Sequence, residues 1–181
     1  MDKNMMKPTI VLTIICLVAA AALAGTYQFT KPMIDAINER MAAEARMTVL
    51  PTADGFEPVD TELQDGVIEV YKATNGAGVV VTSGFKGFGG LVTVMTGFDA
   101  DGVITGVTVT DASDETPGLG SKATLPSYTD QFVGATAIQF NDASGDGTRI
   151  DGVSGATYTS TAVFTAVNAA IAQFAELGGA L

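Results

Sequence analysis

The chain has 181 residues, 47% of them hydrophobic, and a formal net charge of −11 at pH 7. This acidity argues against nucleic-acid binding, which depends on Lys and Arg contacts to phosphate. With one cysteine and no histidine, the chain alone cannot form an internal disulfide, a four-cysteine iron–sulfur cluster, a Cys/His zinc site or a histidine-based triad. Any redox chemistry therefore requires an organic cofactor.

The N-terminal segment is predicted to be a membrane anchor. Pro8 to Phe29 contains no charged residue and is long enough to cross a bilayer as a helix. Lys3 and Lys7 precede it, which favours a cytoplasmic N-terminus and an extracytoplasmic remainder. A cleaved signal peptide is the alternative, because Ala22-Leu23-Ala24 fits a small-x-small cleavage site. We favour a single-pass anchor in the cytoplasmic membrane, because the apolar run continues beyond that site.

A helical stem and one domain are predicted to follow the anchor. From Lys31 to Leu50, apolar residues recur at helical spacing among charged residues, and Pro51 ends the predicted helix. We therefore predict three segments. They are the N-terminus and anchor in residues 1–30, the stem in residues 31–50, and an extracytoplasmic domain in residues 51–181.

The extracytoplasmic domain is predicted to be α+β. Residues 55–111 contain short apolar runs separated by turn residues, and Asp99-Ala100-Asp101-Gly102 is a strong hairpin signal. An irregular loop is predicted at residues 112–127. The predicted strands and helices are Val67–Tyr71, Gly78–Thr82, Leu91–Phe98 and Val103–Thr110, then a short helix at Tyr128–Gly134 and a final helix at Thr159–Leu177. The predicted fold is one transmembrane helix, then a small, mostly antiparallel sheet packed with a C-terminal helix.

The segment from Asp151 to Ser160 is the most informative for function. Small residues crowd a turn that leads directly into the final helix, and the free N–H groups of a helix N-terminus favour a phosphate. Gly155 and Ala156 leave room for a bulky group near the backbone. Taken alone, however, these residues favour a simpler interpretation, a helix N-cap with spare hydroxyl groups.

Two motifs in the chain resemble those of a known family. Asp151 to Thr157 resembles the Asp-x-x-Ser/Thr-Gly-Ala-Thr flavinylation motif of FMN-binding domains, with every motif position present. Glu115-Thr116-Pro117-Gly118-Leu119-Gly120 resembles the loop that faces the flavin in the G subunit of Rnf electron transport complexes. Gly87–Gly90 and Asp130–Gly134 resemble further segments of that family. In this order and spacing, the motifs extend the resemblance over nearly the whole chain.

The resemblance implies an electron-carrying subunit of an Rnf-type complex, which couples electron flow between ferredoxin and NAD to ion translocation. Thr157 would hold FMN covalently as a phosphoester, delivered from FAD by a flavin transferase with the help of magnesium. The expected partners are the other Rnf subunits and that transferase, and neither a resident metal nor independent substrate turnover is expected. The other expected flavin-binding residues are Glu115, Thr116, Gly118, Leu119, Lys122, Asp151, Ser154, Gly155, Ala156 and Thr159.

Specific roles are expected for three residues of the flavin-facing loop. Leu119 is expected to pack on the isoalloxazine ring, and Thr116 and Lys122 to tune its reduction potential. For Lys122, a solvated surface position is an equal alternative. Ser113 stands where many relatives carry a histidine, which puts a proton-handling role at that position in doubt.

Other interpretations of the whole chain stay open. They are the C subunit of the sodium-pumping NADH:quinone reductase, a free-standing flavinylated carrier, and an anchored binding domain without flavin. The chain is short for the quinone-reductase protein, which favours the Rnf family. Asp142 to Gly147 matches the first half of a calcium-binding loop, but Val153 stands where that loop requires a bidentate Glu, so calcium is not expected.

Overall fold

The computed structural model describes residues 3–141 and 146–178, with side chains from residue 7 onward. Residues 142–145 of the calcium-like stretch therefore lie outside the described residues. The α-helices are α1 (Lys3–Val49), α2 (Pro126–Thr129) and α3 (Thr157–Glu176), with 3₁₀ turns at Gly120–Thr124 and Asp130–Phe132. The strands are β1 (Phe56–Pro58), β2 (Val67–Ala73), β3 (Gly78–Lys86), β4 (Leu91–Asp99), β5 (Ile104–Asp111), β6 (Ile138–Phe140) and β7 (Thr148–Ile150).

The chain divides into two compact units, Met1–Ala42 and Ala43–Leu181. The described part of the first unit lies within α1. Among the described residues, one helix, Lys7–Val49, is long and apolar enough to cross a membrane, judged by length and composition. In its apolar stretch, the hydroxyl groups of Thr13 and Thr30 donate to the carbonyls of Thr9 and Thr26, one turn earlier, at 2.9 and 2.8 Å. These bonds satisfy the hydroxyl groups locally, as apolar surroundings require.

Helix α1 runs through the boundary predicted at residues 30 and 31 without an interruption. It ends at Val49, next to the predicted last residue Leu50. The division into anchor, stem and domain stays a prediction, because the helix itself marks no boundary between the first two.

The second unit is built around a five-stranded antiparallel sheet in the order β1-β2-β3-β4-β5. The strands follow one another in sequence, so short turns are sufficient to join them. In the predicted hairpin turn, one carboxylate oxygen of Asp99 accepts hydrogen bonds from the N–H groups of Asp101 and Val103, at 3.0 and 2.9 Å. Gly102 takes the left-handed conformation that the turn needs, with φ of +80°.

Both faces of this sheet are covered. Helix α3 packs on one face, where Val163 and Val167 join Val79, Val81 and Phe98 in the main core. On the opposite face, a smaller cluster is formed by Val49, Leu50, Ala53, Ala73, Val80 and Met95. Strand β3 is therefore buried on both faces, which explains why Val79, Val80 and Val81 follow one another in place of alternating with polar residues.

The predicted α+β class is confirmed, and the differences concern short elements. The loop predicted at residues 112–127 contains the Gly120–Thr124 turn, and the predicted helix at Tyr128–Gly134 is instead α2 followed by a 3₁₀ turn. Strands β6 and β7, which form a parallel pair, are absent from the sequence prediction. Three-residue strands are too short to show a periodic pattern. Helix α3 begins at Thr157 instead of Thr159, which brings Thr157 into its first turn.

Candidate functional site

A pocket of about 280 Å³ lies beside the first turn of α3. Three segments line it: the loop after β3, the loop of residues 115–120, and the turn that leads into α3. Seven residues predicted to bind the flavin line this pocket, namely Glu115, Thr116, Leu119, Gly155, Ala156, Thr157 and Thr159. The two motifs found in the sequence are therefore brought together in space by the fold.

The first turn of α3 has free hydrogen-bond donors at this pocket. Its N-cap residue is Ala156, and no side chain caps the helix, so the Ser/Thr cap considered from the sequence is not formed. In the described part of the chain, the backbone N–H groups of Thr157, Tyr158 and Thr159 have no acceptor, and the first paired N–H is that of Ser160. Uncapped N–H groups and the positive end of the helix dipole together favour an anion.

The turn before α3 depends on Gly155. Its φ is +80°, a left-handed conformation that residues with a side chain rarely adopt. A Cβ atom at this position would lie 3.0 Å from Cδ1 of Leu119. Leu119 therefore packs directly against the Gly155 turn, and these two residues hold the two motif segments in contact.

Glu115 is a buried carboxylate in the pocket wall, with 4% of its surface exposed. Its Oε1 accepts a hydrogen bond from the N–H of Gly89 at 2.9 Å, and its Oε2 accepts one from the hydroxyl group of Thr159 at 2.5 Å. Burial by itself raises the pKa of Glu115, but the hydrogen bond from Thr159 and those from the backbone of Gly89, Gly90 and Phe88 together outweigh it and hold the pKa below its ordinary value. The carboxylate is therefore ionised at neutral pH.

Glycines make the space that this carboxylate occupies. A Cβ atom on Gly87 would overlap Oε1 of Glu115, and one on Gly120 would lie 2.6 Å from Oε2. A side chain at either position would therefore displace the carboxylate from where it lies. The glycines of the loop after β3 and of the loop of residues 115–120 are thus required for Glu115 to be enclosed.

Phe88 and Tyr158 also line the pocket, and neither is among the residues predicted from the sequence. Their rings lie 6.1 Å apart at 45°, and they are 69% and 70% exposed. Together with Leu119 they are the large apolar side chains of the pocket lining. Exposed aromatic side chains at a pocket mark a binding surface. The available signal is their position, since Phe88 lies within the glycine loop and Tyr158 directly follows Thr157.

The remaining predicted site residues lie outside the pocket lining. Asp151 is exposed and pairs with Arg149, with 2.8 Å between Oδ1 and Nε. Ser154 and Lys122 are also exposed. Gly118 is exposed with φ of +77°, and its N–H donates to the hydroxyl group of Ser121 at 2.9 Å. A direct contact between these residues and a flavin stays a prediction.

The pocket has the chemistry that a flavin nucleotide requires. The free N–H groups of α3 suit its phosphate, and the apolar side chains of Phe88, Leu119 and Tyr158 suit its ring. Thr157 is exposed, begins α3 and lines the same pocket. Among residues 7–141 and 146–178, no group of three or more Cys, Asp or Glu side chains is arranged to hold a metal ion.

Comparison with solved structures gives two distant likenesses. NqrC from Shewanella oneidensis has a TM-score of 0.44 at 24% identity, covering 66% of this chain and 64% of its own. The C subunit of the Na⁺-translocating NADH-quinone reductase from Parabacteroides distasonis has a TM-score of 0.46 at 23% identity, covering 62% of this chain and 59% of its own. These scores are too low to support a conclusion, so the assignment depends on sequence relatives.

The sequence relatives cover almost the full chain. Residues 1–48 match the RnfG N-terminal region, and residues 87–172 match the FMN-binding domain. The G subunit of the Na⁺-translocating ferredoxin:NAD⁺ oxidoreductase complex of Acetobacterium woodii is 36% identical, over 97% of this chain and 94% of its own. The G subunit of an ion-translocating oxidoreductase complex of Methanosarcina acetivorans is 34% identical, over 94% of both chains. The chain therefore belongs to the RnfG family, the G subunits of the Rnf-type ion-translocating oxidoreductase complexes.

Proposed function

We propose that this chain is the electron-carrying subunit of a membrane-bound, Rnf-type ferredoxin:NAD oxidoreductase that translocates ions, and that it holds FMN covalently by a phosphoester to Thr157. Membership of the RnfG family supports the assembly, and the match of residues 87–172 to the FMN-binding domain supports the cofactor. The other Rnf subunits are the proposed partners of the mature chain. A flavin transferase is its proposed partner during maturation.

The observation that carries the attachment proposal is the position of Thr157. It is the first residue of α3, it is exposed, and it lines the pocket beside backbone N–H groups that have no acceptor among the described residues. A phosphate bonded to its hydroxyl group would remain close to these donors and to the positive end of the helix dipole. An exposed hydroxyl group is also accessible to a transferase before the flavin fills the pocket.

The surrounding residues have separate roles in holding the cofactor. The first turn of α3 would bind the phosphate, while Leu119, Phe88 and Tyr158 would contact the ring and exclude water from it. FMN, when bound, supplies the capacity to accept and donate electrons, which no side chain of this protein supplies. A covalent bond keeps the ring at a high effective concentration beside its pocket.

The N-terminal part of α1 is the proposed membrane anchor, with the pocket-bearing unit on the extracytoplasmic side. The length and composition of the helix support the anchor, and Lys3 and Lys7 before the apolar stretch support the orientation. A cofactor outside the cytoplasm is lost by diffusion unless it is held tightly. The covalent bond to Thr157 therefore matches the proposed location.

The test is the intact mass of the full chain after co-expression with a flavin transferase. We expect the wild type to gain the mass of one FMN phosphoester, and Thr157→Ala to lose it completely. Thr161→Ala is the matched control, because Thr161 is exposed on the same helix but does not line the pocket. It should be modified like the wild type.

Two outcomes would contradict the proposal. An unmodified wild type, in cells where another acceptor protein is flavinylated, would exclude covalent FMN. An FMN adduct on the Thr157→Ala variant would show that another residue is the attachment site.

A further inference from the structure

Glu115 is a buried charge that has no counter-ion in the part of the chain that the structure describes. The residue is 4% exposed, and within residues 7–141 and 146–178 no Lys or Arg forms an ion pair with its carboxylate. Removing a lone charge from water is costly, and here hydrogen bonds alone offset this cost. An uncompensated carboxylate in the wall of the pocket therefore adds a negative potential to the pocket itself.

Both oxygens of this carboxylate are bound by the protein. Oε1 accepts from the N–H of Gly89, in the loop after β3, and Oε2 accepts from the hydroxyl group of Thr159, in the first turn of α3. Glu115 itself belongs to the third segment that lines the pocket. One side chain thus joins all three pocket segments, so its function is not limited to direct contact with a ligand.

We infer that Glu115 is a positioning residue that holds the three pocket segments together and, through its fixed negative charge, lowers the reduction potential of the FMN bound in the pocket. The inference rests on the proposed function. Electrons accepted by the ring add negative charge near the carboxylate unless protons accompany them, and the two charges repel each other. The repulsion is strong because the carboxylate is withdrawn from water, which would otherwise screen it.

Three substitutions separate charge from shape. Glu115→Gln removes the charge and keeps the length of the side chain, and its amide can accept from Gly89 and donate to the oxygen of Thr159. Glu115→Asp keeps the charge but shortens the side chain. Asp114→Asn removes one charge from the neighbouring residue, which is exposed and therefore screened by water.

The measurement is the midpoint potential of the flavin in the full, flavinylated chain in detergent. Redox dyes mediate the titration, with dithionite as reductant and ferricyanide as oxidant, and flavin absorbance is recorded. We expect Glu115→Gln to raise the potential clearly above that of the wild type. Glu115→Asp should remain close to the wild type, and Asp114→Asn should shift the potential less than Glu115→Gln.

Each outcome bears on one claim. Equal midpoint potentials in the wild type and Glu115→Gln would overturn the inference. An equal rise of the midpoint potential in Glu115→Gln and Glu115→Asp would also overturn it, because the length of the side chain and not its charge would then set the potential. If Glu115→Gln does not take up flavin, the decision rests on Glu115→Asp. A midpoint potential of Glu115→Asp far above that of the wild type would overturn the inference. A midpoint potential close to that of the wild type would support the role of the charge. Absence of the flavin adduct from the wild type, seen by intact mass, would instead refute the proposed function.

Discussion

Gly155 is the residue whose backbone conformation the pocket depends on most directly. Its φ is +80°, and a Cβ atom at this position would lie 3.0 Å from Leu119, so both its conformation and its surroundings disfavour any side chain. We expect Gly155→Ala to lower the free energy of unfolding by about 1–2 kcal/mol, the usual cost of a left-handed residue with a Cβ. It should also reduce the flavinylated fraction, because the strain falls on the turn that presents Thr157.

Gly76→Ala is the matched control for that prediction. Gly76 has φ of +72° but nothing within 4 Å of a Cβ atom, and it does not line the pocket. Urea unfolding of the full chain in detergent should show a loss of stability in both variants. Intact mass should show reduced flavinylation in Gly155→Ala alone. An equal flavinylated fraction in both would mean that the Gly155 turn does not control attachment.

Motif residues and their surroundings differ in how well the sequence predicts them. Thr157, Ala156 and Gly155 are predictable because a contiguous motif contains them, and all three line the pocket. Phe88 and Tyr158 are not, because whether an aromatic side chain is buried or exposed depends on the tertiary fold. The bond between Glu115 and Thr159 joins residues far apart in sequence, so no local pattern could reveal it.

At the scale of elements, the central strands contain two buried threonines with different surroundings. Thr82 in β3 donates its hydroxyl hydrogen to Oε1 of Glu69 at 3.1 Å. Thr96 in β4 is fully buried, and its hydroxyl group has no partner among the described residues. Leaving a buried hydroxyl group without a partner costs about 1–3 kcal/mol, whereas a satisfied one stabilises the fold.

Replacing each threonine by valine, which has nearly the same shape, tests this difference. We expect Thr96→Val to raise the free energy of unfolding by about 1 kcal/mol and Thr82→Val to lower it by a similar amount. Urea unfolding of the full chain in detergent measures both. A loss of stability in Thr96→Val would show that its hydroxyl group has a hydrogen-bond partner in solution.

The sequence predicts the long helices and strands well, because their patterns extend over many residues. It does not predict features that depend on contacts between residues far apart in the chain. Helical spacing predicts an apolar face of α3 formed by Val163, Val167, Ala170, Ile171 and Phe174. The first three are fully buried, and the last two are partly buried against the main core. Gln173 of the same helix is also fully buried, which its polarity does not suggest. Its Oε1 accepts from the N–H of Gln64 at 2.8 Å, and these two residues are brought together by the loop before β2, not by helical periodicity.

At the scale of the whole molecule, the end of α1 contributes to the fold of the second unit. The guanidinium carbon of Arg46 lies 3.7 Å from the centre of the Tyr71 ring, and Nη2 lies 3.7 Å from Oε1 of Glu69. Arg46 is 4% exposed, so this stack closes the sheet face opposite α3. The periodicity of residues 31–50 predicts a stem, but the end of this helix packs on the sheet, where Arg46 contacts Tyr71 and Glu69 of β2.

The orientation of the chain in the membrane determines where the flavin operates. The sequence predicts a cytoplasmic N-terminus and an extracytoplasmic pocket, because Lys3 and Lys7 precede the apolar stretch. The single cysteine, Cys16, makes this orientation measurable by thiol labelling once it is replaced. Asp101 is a suitable new site, because it is exposed in the hairpin turn between β4 and β5.

We therefore expect Cys16→Ala/Asp101→Cys to react with a membrane-impermeant maleimide in spheroplasts, before any lysis. The matched variant Cys16→Ala/Asn4→Cys should react after lysis alone, because residue 4 precedes the anchor. Cys16→Ala without a new cysteine measures the background. Labelling of Asp101→Cys only after lysis would place the pocket in the cytoplasm. In that case, retention outside the cytoplasm would no longer explain the proposed covalent bond, and the mass measurement would test attachment to Thr157 independently of the orientation.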